Sequence, residues 1–503
     1  MAKFAKKANI RTRTRSHADA ERNLEEGLSF KWDDKSTLYA RVACSLVNEP
    51  TFYKNVIDGN VKPNFDDDLV SDIKKVSEKD PEFLLKLASY ARNELYLRSV
   101  PMLLIGEASQ IPKARPFIKK WAASIIKRAD EPAELMSYVI NRFGRNAATS
   151  NNQLKKGIAA SLDKFNEYQF AKYNRSNAIK LKDVLRICHP KHKDIYKKII
   201  ENTLETPDTW EVLISNPESK GFKTKKEAWE YLVNNNKLGY MAMLRNIRNL
   251  IKEDVSQATL DKALNFISDK QAVLKSKQLP FRFLSAYREI EGSKKISTAL
   301  ETALEHSIEN IPKLSGTTFI SADTSGSMNS KLSSRSSITL DDIACLMATM
   351  ADKFCDDSYA SVFATEFKTV KTNTRSSILE NAERFKSIDV GYSTNGYLIL
   401  DHLVDKRLKV DRIMIFTDMQ MYDSDGYDRQ FIDSFIRYKR AINPNVKLYC
   451  INLSTYGNVV VPHDEPNVCL LSGWSENIFK FINIFESDRK TAVSEIEKLK
   501  PIA

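Results

Sequence analysis

Asp323, Ser325 and Ser327, three oxygen-bearing side chains at alternate positions of the stretch Thr317 to Ser330 (TTFISADTSGSMNS), are the residues best suited to chemistry. Alternate residues of an extended chain face the same way, so the three converge on one point, and Gly326 between them permits a tight curve. One carboxylate and two hydroxyls are hard ligands that suit Mg²⁺, or another divalent cation such as Mn²⁺. Mg²⁺ prefers six oxygens at about 2.1 Å and usually keeps some waters. A Ser-rich loop with an aspartate cap would have the same spelling, so the surrounding elements must decide between the two.

Thr317, Thr318, Phe319 and Ile320 form a β-branched and aromatic run that predicts a buried strand feeding the loop, and a helical pattern resumes near Ile338. Beyond the turn-rich Pro312 to Gly316, strands are predicted at 317–322, 359–370, 412–417, 447–453 and 467–471. Helices are predicted at 338–355, 396–405, 428–441 and 476–498. Alternating strand and helix imply a parallel sheet covered on both faces, with ligands at the carboxyl ends of the strands.

The first part of the chain reads differently. Pro81 to Leu95 sets Phe83, Leu84, Leu87, Ala88, Ala91 and Leu95 on one helical face, with Pro81 suited to a first turn. Comparable segments follow at 101–109, 115–128, 131–143, 194–204, 225–235 and 258–269, and strand-like alternation is nearly absent before residue 315. Amphipathic helices with no sheet to cover must pack on one another, most economically as stacked antiparallel pairs. No strict repeat period is present. Residues 1–24 are basic, polar and poorly patterned, as expected of a flexible arm.

The 503 residues suffice for two or more domains with large cores, and no window approaches the roughly 18 apolar residues of a membrane span. The first twenty residues lack the apolar core of a secretory signal. Cys44, Cys188, Cys345, Cys355, Cys450 and Cys469 lie far apart without metal spacing, as expected of free thiols in a reducing cytoplasm. The net charge of +12 is unevenly spread: residues 315–503 hold 22 Lys+Arg against 25 Asp+Glu (−3), leaving 55 against 40 (+15) for residues 1–314. Such a surplus favours a polyanionic partner, although a basic surface without a ligand would show it too. The six histidines are scattered, and neither a G-x-S-x-G nor a Walker loop is present, so binding and not catalysis is expected.

The D-x-S-x-S string resembles the metal-ion-dependent adhesion site of a von Willebrand factor A domain. That family adds a threonine from a second loop, matched by Thr394 in Gly391-Tyr392-Ser393-Thr394-Asn395. It also adds an aspartate at the end of a later strand, matched by Asp418 after Arg412 to Thr417. Two glycines usually precede the threonine, where this chain has Tyr392-Ser393, which leaves either Thr394 or Ser393 as the ligand.

The stretch Phe170 to Pro190 (FAKYNRSNAIKLKDVLRICHP) resembles the TROVE module of the Ro autoantigen family, in which K-Y-x-x-R precedes a helix of the form KD-L-L-R-x-x-H-P. Lys172, Tyr173, Arg175, Lys182, Asp183, Leu185, Arg186, His189 and Pro190 carry the likeness. Asn141 to Arg145, Met243 to Ile247 and Leu279 to Arg282 support it.

The resemblance covers about residues 25–500 and implies a bacterial or phage-type member of multidomain α plus α/β class. It implies a flexible arm over 1–24, a ring of HEAT-like antiparallel helical repeats over 25–314, and a Rossmann-like von Willebrand factor A domain over 315–503. It further implies a cytoplasmic monomer whose basic channel takes single-stranded 3′ ends of misfolded or damaged RNA and whose outer face holds small Y-like RNA. Polynucleotide phosphorylase, a 3′ exoribonuclease, is a possible partner on the same ground. Lys172, Arg175, Arg186 and His189 suit phosphate and base contacts, and Tyr173 offers a stacking face worth about 1–3 kcal/mol per base. Lys172 and Arg175 could instead form a solvated face, and His189 could serve the helix dipole. Arg145, Arg245 and Arg248 suit either RNA or acidic helices. The competing function is a metal-dependent protein-interaction scaffold that has no RNA role.

Overall fold

The structure is a computed structural model of the chain. It describes residues 20–22, 28–31, 33–44, 67–174, 179–205, 209–290, 293–309, 311–474 with breaks of one to three residues, 478, 479, 482, 486 and 492–501. These divide into two compact units, one of residues 1–44 with 238–491 and the other of 45–237 with 492–503.

The unit centred on residues 45–237 is helical. Helices Phe83–Asn93, Ser99–Gln110, Arg115–Ile125, Glu131–Phe143, Asp194–Glu201 and Lys225–Asn234 fall where the periodicity predicts them. Phe83, Leu84, Leu87, Ala88 and Ala91 are all buried, so the apolar face of the first of these helices is a packing face. Arg115–Ile125 lies against Asn152–Leu162, where Gly157 lets the backbones approach: a Cβ there would sit 2.9 Å from that of Ala122. The late helix Ala492–Glu497 packs on Phe83–Asn93.

The other unit carries a six-stranded sheet and more helices. Strands β1 (Ala20–Arg22) and β2 (Leu28–Lys31) precede β3 (Leu314–Asp323), β4 (Cys355–Phe363), β5 (Phe367–Val370), β6 (Arg412–Thr417), β7 (Lys447–Asn452), β8 (Asn458–Val459) and β9 (Val468–Ser472). The large sheet has the order β5-β4-β3-β6-β7-β9, parallel except for β5. Its core includes Phe319, Phe363, Ile413, Ile415, Leu448 and Cys450, from strands buried on both sides.

Two strand expectations need correction. The run 359–370 is not one strand: the chain turns at Ala364–Glu366, where the Ala364 N–H donates to Glu366 O at 2.9 Å, and returns as the antiparallel edge β5. Strand structure also exists before residue 315, because β1, β2 and β8 form a small antiparallel sheet. Ala20–Arg22, inside the span 1–24 expected to be a flexible arm, is a strand, and residues 1–19 and 23–24 lie outside the described part. Most of the helix expected at 476–498 also lies outside it.

Helices Tyr240–Lys252, Gln257–Ser268, Lys270–Ser276, Pro280–Arg288 and Lys294–Ile308 belong to the same unit as the sheet, so the compositional break at 314/315 falls inside it. Ser377 donates from Oγ to Glu301 Oε1 at 2.9 Å, and Lys353 pairs with Glu305 at 2.7 Å. Five described cysteines are free: Cys355 is half-buried and Cys188, Cys345, Cys450 and Cys469 are buried. No helix among the described residues is long and apolar enough to cross a membrane.

Candidate functional site

Strand β3 delivers Asp323 to the carboxyl edge of the sheet. Its parallel pairing with β6 sets Ala322 beside Phe416, which brings the two strand ends and their aspartates, Asp323 and Asp418, to the same edge. Asp323 Oδ1 accepts from the Ser325 N–H at 3.0 Å, and Oδ2 accepts from Thr417 Oγ1 at 2.6 Å. The Ser325 and Ser327 hydroxyl oxygens lie 3.4 Å apart. Asp418 Oδ1 accepts from the Gln420 N–H at 3.1 Å. Burial, then the Asp418 charge, pushes the Asp323 carboxyl up to about 7, while bonds from Ser325 and Thr417 act in the opposite sense.

The second loop is stitched to the first. The Gly326 N–H donates to Tyr392 O at 2.8 Å, and a Cβ on Gly326 would stand 3.3 Å from that carbonyl. Thr365 Oγ1 accepts from the Tyr392 and Ser393 N–H groups at 2.9 Å, and Thr394 O accepts from the Tyr422 N–H at 3.0 Å. Thr394 is buried and Ser393 half-buried. Asp323, Ser325, Ser327 and Asp418 thus gather at one edge, with Thr394 in the adjoining loop. Among the described residues no group of three or more His, Cys, Asp or Glu is placed to hold a metal; the donors here are two carboxylates and hydroxyls.

The cationic candidates are spread over both units. Helix Glu167–Tyr173 starts at an Asn166–Gln169 capping box and buries Phe170 against Phe165 and Tyr196. Lys172 and Tyr173 at its end are half-buried. The Arg128 guanidinium stands 4.3 Å from the Tyr173 ring centroid and the Lys172 ammonium 5.7 Å, so cations crowd the ring expected to stack on a base. Arg175 lies outside the described residues.

Helix Leu181–Cys188 buries Leu181, Val184, Leu185 and Cys188 and leaves Arg186 exposed. His189 ends it in the left-handed region at φ 47°, exposed, its N–H donating to Leu185 O at 3.0 Å. Arg145 is exposed at the start of helix Arg145–Thr149. In the sheet-bearing unit, Arg245 and Arg248 are exposed on Tyr240–Lys252, and Arg248 pairs with Glu289. Lys127, Arg128 and Lys164 were not marked by any sequence pattern, because only the fold brings Arg128 to Tyr173 and Lys164 to the neighbourhood of Lys127.

Fold and site together define a helix-rich protein that carries a von Willebrand-type α/β domain. The chain matches the TROVE domain over residues 21–205 and 202–295 and the Ro60 vWA domain over 317–486. It belongs to the Ro family. Its fold is similar to the crystal structure of the Deinococcus radiodurans RO (RSR) protein, with a TM-score of 0.58 at 16% identity over 88% of this chain and 96% of that one. It is also similar to Telomerase protein component 1 of Rattus norvegicus, 22% identical over 298 residues, and of Mus musculus, 24% identical over 295. Each of these two alignments spans 42% of this chain but only 11% of the relative's length.

Proposed function

We propose that this protein binds RNA and does not turn it over: single-stranded 3′ ends in a basic channel and small structured Y-like RNA on an outer face, in RNA quality control or as a tether for a ribonuclease such as polynucleotide phosphorylase. The observation that carries this reading is the segregation of charge, +15 over residues 1–314 against −3 over the rest, within a chain that matches the TROVE domain over most of its basic part. Exposed Arg145, Arg186, His189 and Arg245 are available to phosphates, whereas Arg248 is engaged by Glu289.

The α/β part supports a second, compatible role. Two buried carboxylates, one of them raised first by burial and then by the charge of the other, with hydroxyls beside them, fit a divalent cation that would relieve their repulsion. Ser325 and Ser327, with Thr394 or Ser393, would hold Mg²⁺ or Mn²⁺, and Asp323 and Asp418 would hold its waters. Such a cation would supply a Lewis-acidic position for a carboxylate of a partner protein.

The test is fluorescence anisotropy of a labelled single-stranded oligoribonucleotide with the full chain at several salt concentrations. If about five phosphates are neutralised, log affinity falls against log salt with a slope of roughly −3.5. A flat salt response sinks the reading.

A further inference from the structure

The turn between helices Arg115–Ile125 and Glu131–Phe143 concentrates positive charge whose nearby carboxylates are already engaged. Glu131 Oε2 accepts from the backbone N–H groups of Lys127 and Arg128, at 2.6 and 3.0 Å, and Oε1 accepts from Arg92 at 2.8 Å. Asp130 Oδ2 is shared by Arg98, at 2.6 Å, and Arg128, at 3.0 Å. The half-buried Lys127 ammonium has no hydrogen-bond partner among the described residues. Arg128 donates from Nη2 to Asp130; its Nε is buried without a partner, so the donors left for a ligand are those of Nη1, which find no acceptor among the described residues. The guanidinium is nevertheless fixed: Asp130 holds one end, and the Tyr173 ring seats it at 4.3 Å with Lys172 on the same ring.

We infer that Lys127 and Arg128 form a phosphate-binding subsite for RNA, with Tyr173 acting as the seat that positions Arg128 and not as a stacking platform for a base. The inference rests on the RNA-binding reading above. A seated guanidinium with unspent donors is preorganised for a phosphodiester, because the side-chain entropy of ordering it is already spent in the unbound protein. A lone phosphate would gain little from a half-exposed turn, but a polynucleotide meets several such cations in succession. The electrostatics agree: Lys164 donates to Ala123 O at 2.8 Å and to Ile126 O, and withdrawal of its ammonium from water, then the Lys127 charge, pushes it down to about 8. An anion between these cations would relieve that repulsion.

The experiment uses the full chain, a fluorescein-labelled 20-nucleotide oligouridylate and a labelled RNA hairpin, with anisotropy read over a salt series. Arg128→Ala is expected to weaken binding of one or both RNAs by about tenfold and to flatten the log–log slope by about 0.7 for the single strand. Lys127→Gln, which removes no side-chain hydrogen bond, is expected to flatten the slope similarly. Tyr173→Leu is expected to weaken binding while keeping the slope, and Tyr173→Phe to leave both unchanged, since the ring alone is the seat. Should Arg128→Ala fail to fold by circular dichroism, Lys127→Gln decides by itself. Folded variants with wild-type affinity and slope for both RNAs would overturn the assignment and leave Arg128 as packing of the turn. A wild-type chain that binds neither RNA overturns the RNA-binding reading together with it.

Discussion

Arg288 grips Asp342 with both ends of its guanidinium, Nη1 donating to Oδ2 at 2.5 Å and Nη2 to Oδ1 at 2.7 Å, and so ties helix Pro280–Arg288 to the first turn of helix Leu340–Phe354. The same carboxylate closes a capping box with Thr339 and pairs with Lys386, while Arg288 Nε donates to Glu383 at 2.7 Å. Helix Leu340–Phe354 follows the Asp323–Ser330 loop in the chain, so this clasp anchors the element immediately after the candidate metal site.

Arg288→Ala is expected to destabilise the sheet-bearing unit by less than the about 3–5 kcal/mol of a buried charge left wholly unpaired, because Lys386 stays with Asp342. Urea unfolding followed by circular dichroism measures it; an unchanged midpoint contradicts the clasp.

The same clasp sets an acid response. Burial acts upward on Asp342, but Arg288, then Lys386 and the Thr339 N–H, hold its carboxyl down at about 2, below the ordinary 3.8. A depressed carboxylate contributes stability that is fully present above pH 3.8 and is lost as pH falls through about 2. In Arg288→Ala the carboxyl rises, so the contribution is smaller and its loss is complete at a higher pH, read as an upward shift of the acid-unfolding midpoint.

Lys164 titrates in the opposite sense. With its folded value at about 8 against an ordinary 10.5, the strain of keeping it charged is complete below pH 8 and disappears as pH rises to 10.5. Its facing groups are Lys127, Glu131 and Arg92. Acylation of Lys164, followed by peptide mass spectrometry, is expected to reach half its maximum rate near pH 8. In Lys127→Gln that midpoint moves up, because a neighbouring cation is gone.

His189 allows helix capping to be separated from ligand contact. A non-glycine residue in the left-handed region costs roughly 1–2 kcal/mol, so His189→Gly relieves strain while removing the imidazole. If the imidazole contacts RNA, affinity for a structured small RNA falls by about 1–3 kcal/mol while the melting temperature holds or rises. Unchanged affinity would leave His189 as a cap alone.

Ser325→Ala is expected to abolish titration heat with Mg²⁺ and Mn²⁺ and to leave oligoribonucleotide affinity unchanged in chelator. Retained metal heat would remove Ser325 from the ligand set.

The strands around the candidate metal site were the most legible part of the chain. The run RIMIFT forms β6 over the expected bounds, because a strand buried on both faces is an unbroken apolar run ended by a polar residue. Reading 359–370 as one strand failed where Ala364–Glu366 turns the chain without the Gly or Pro that usually marks a turn. Pairings such as Phe30 with Val459 leave no local trace, and neither does the seating of Arg128 on Tyr173. Lys172 was legible from local pattern as a basic residue at a helix end, but the Arg128 guanidinium that shares the Tyr173 ring with it comes from a contact distant in sequence.

The small sheet that pairs β2 with β8 bears on how the protein is made. Tyr39 donates from its hydroxyl to Ser472 O across 433 residues, and helix Asp34–Cys44 packs on β9. At roughly 5–20 residues per second, a ribosome needs about 20–90 seconds to supply those partners after the first helix has emerged. Meanwhile the nascent amino-terminal segment waits with Leu38 and Val42, both buried in the finished fold, still uncovered. Closure of that contact therefore cannot precede synthesis of β9, however fast either compact unit folds.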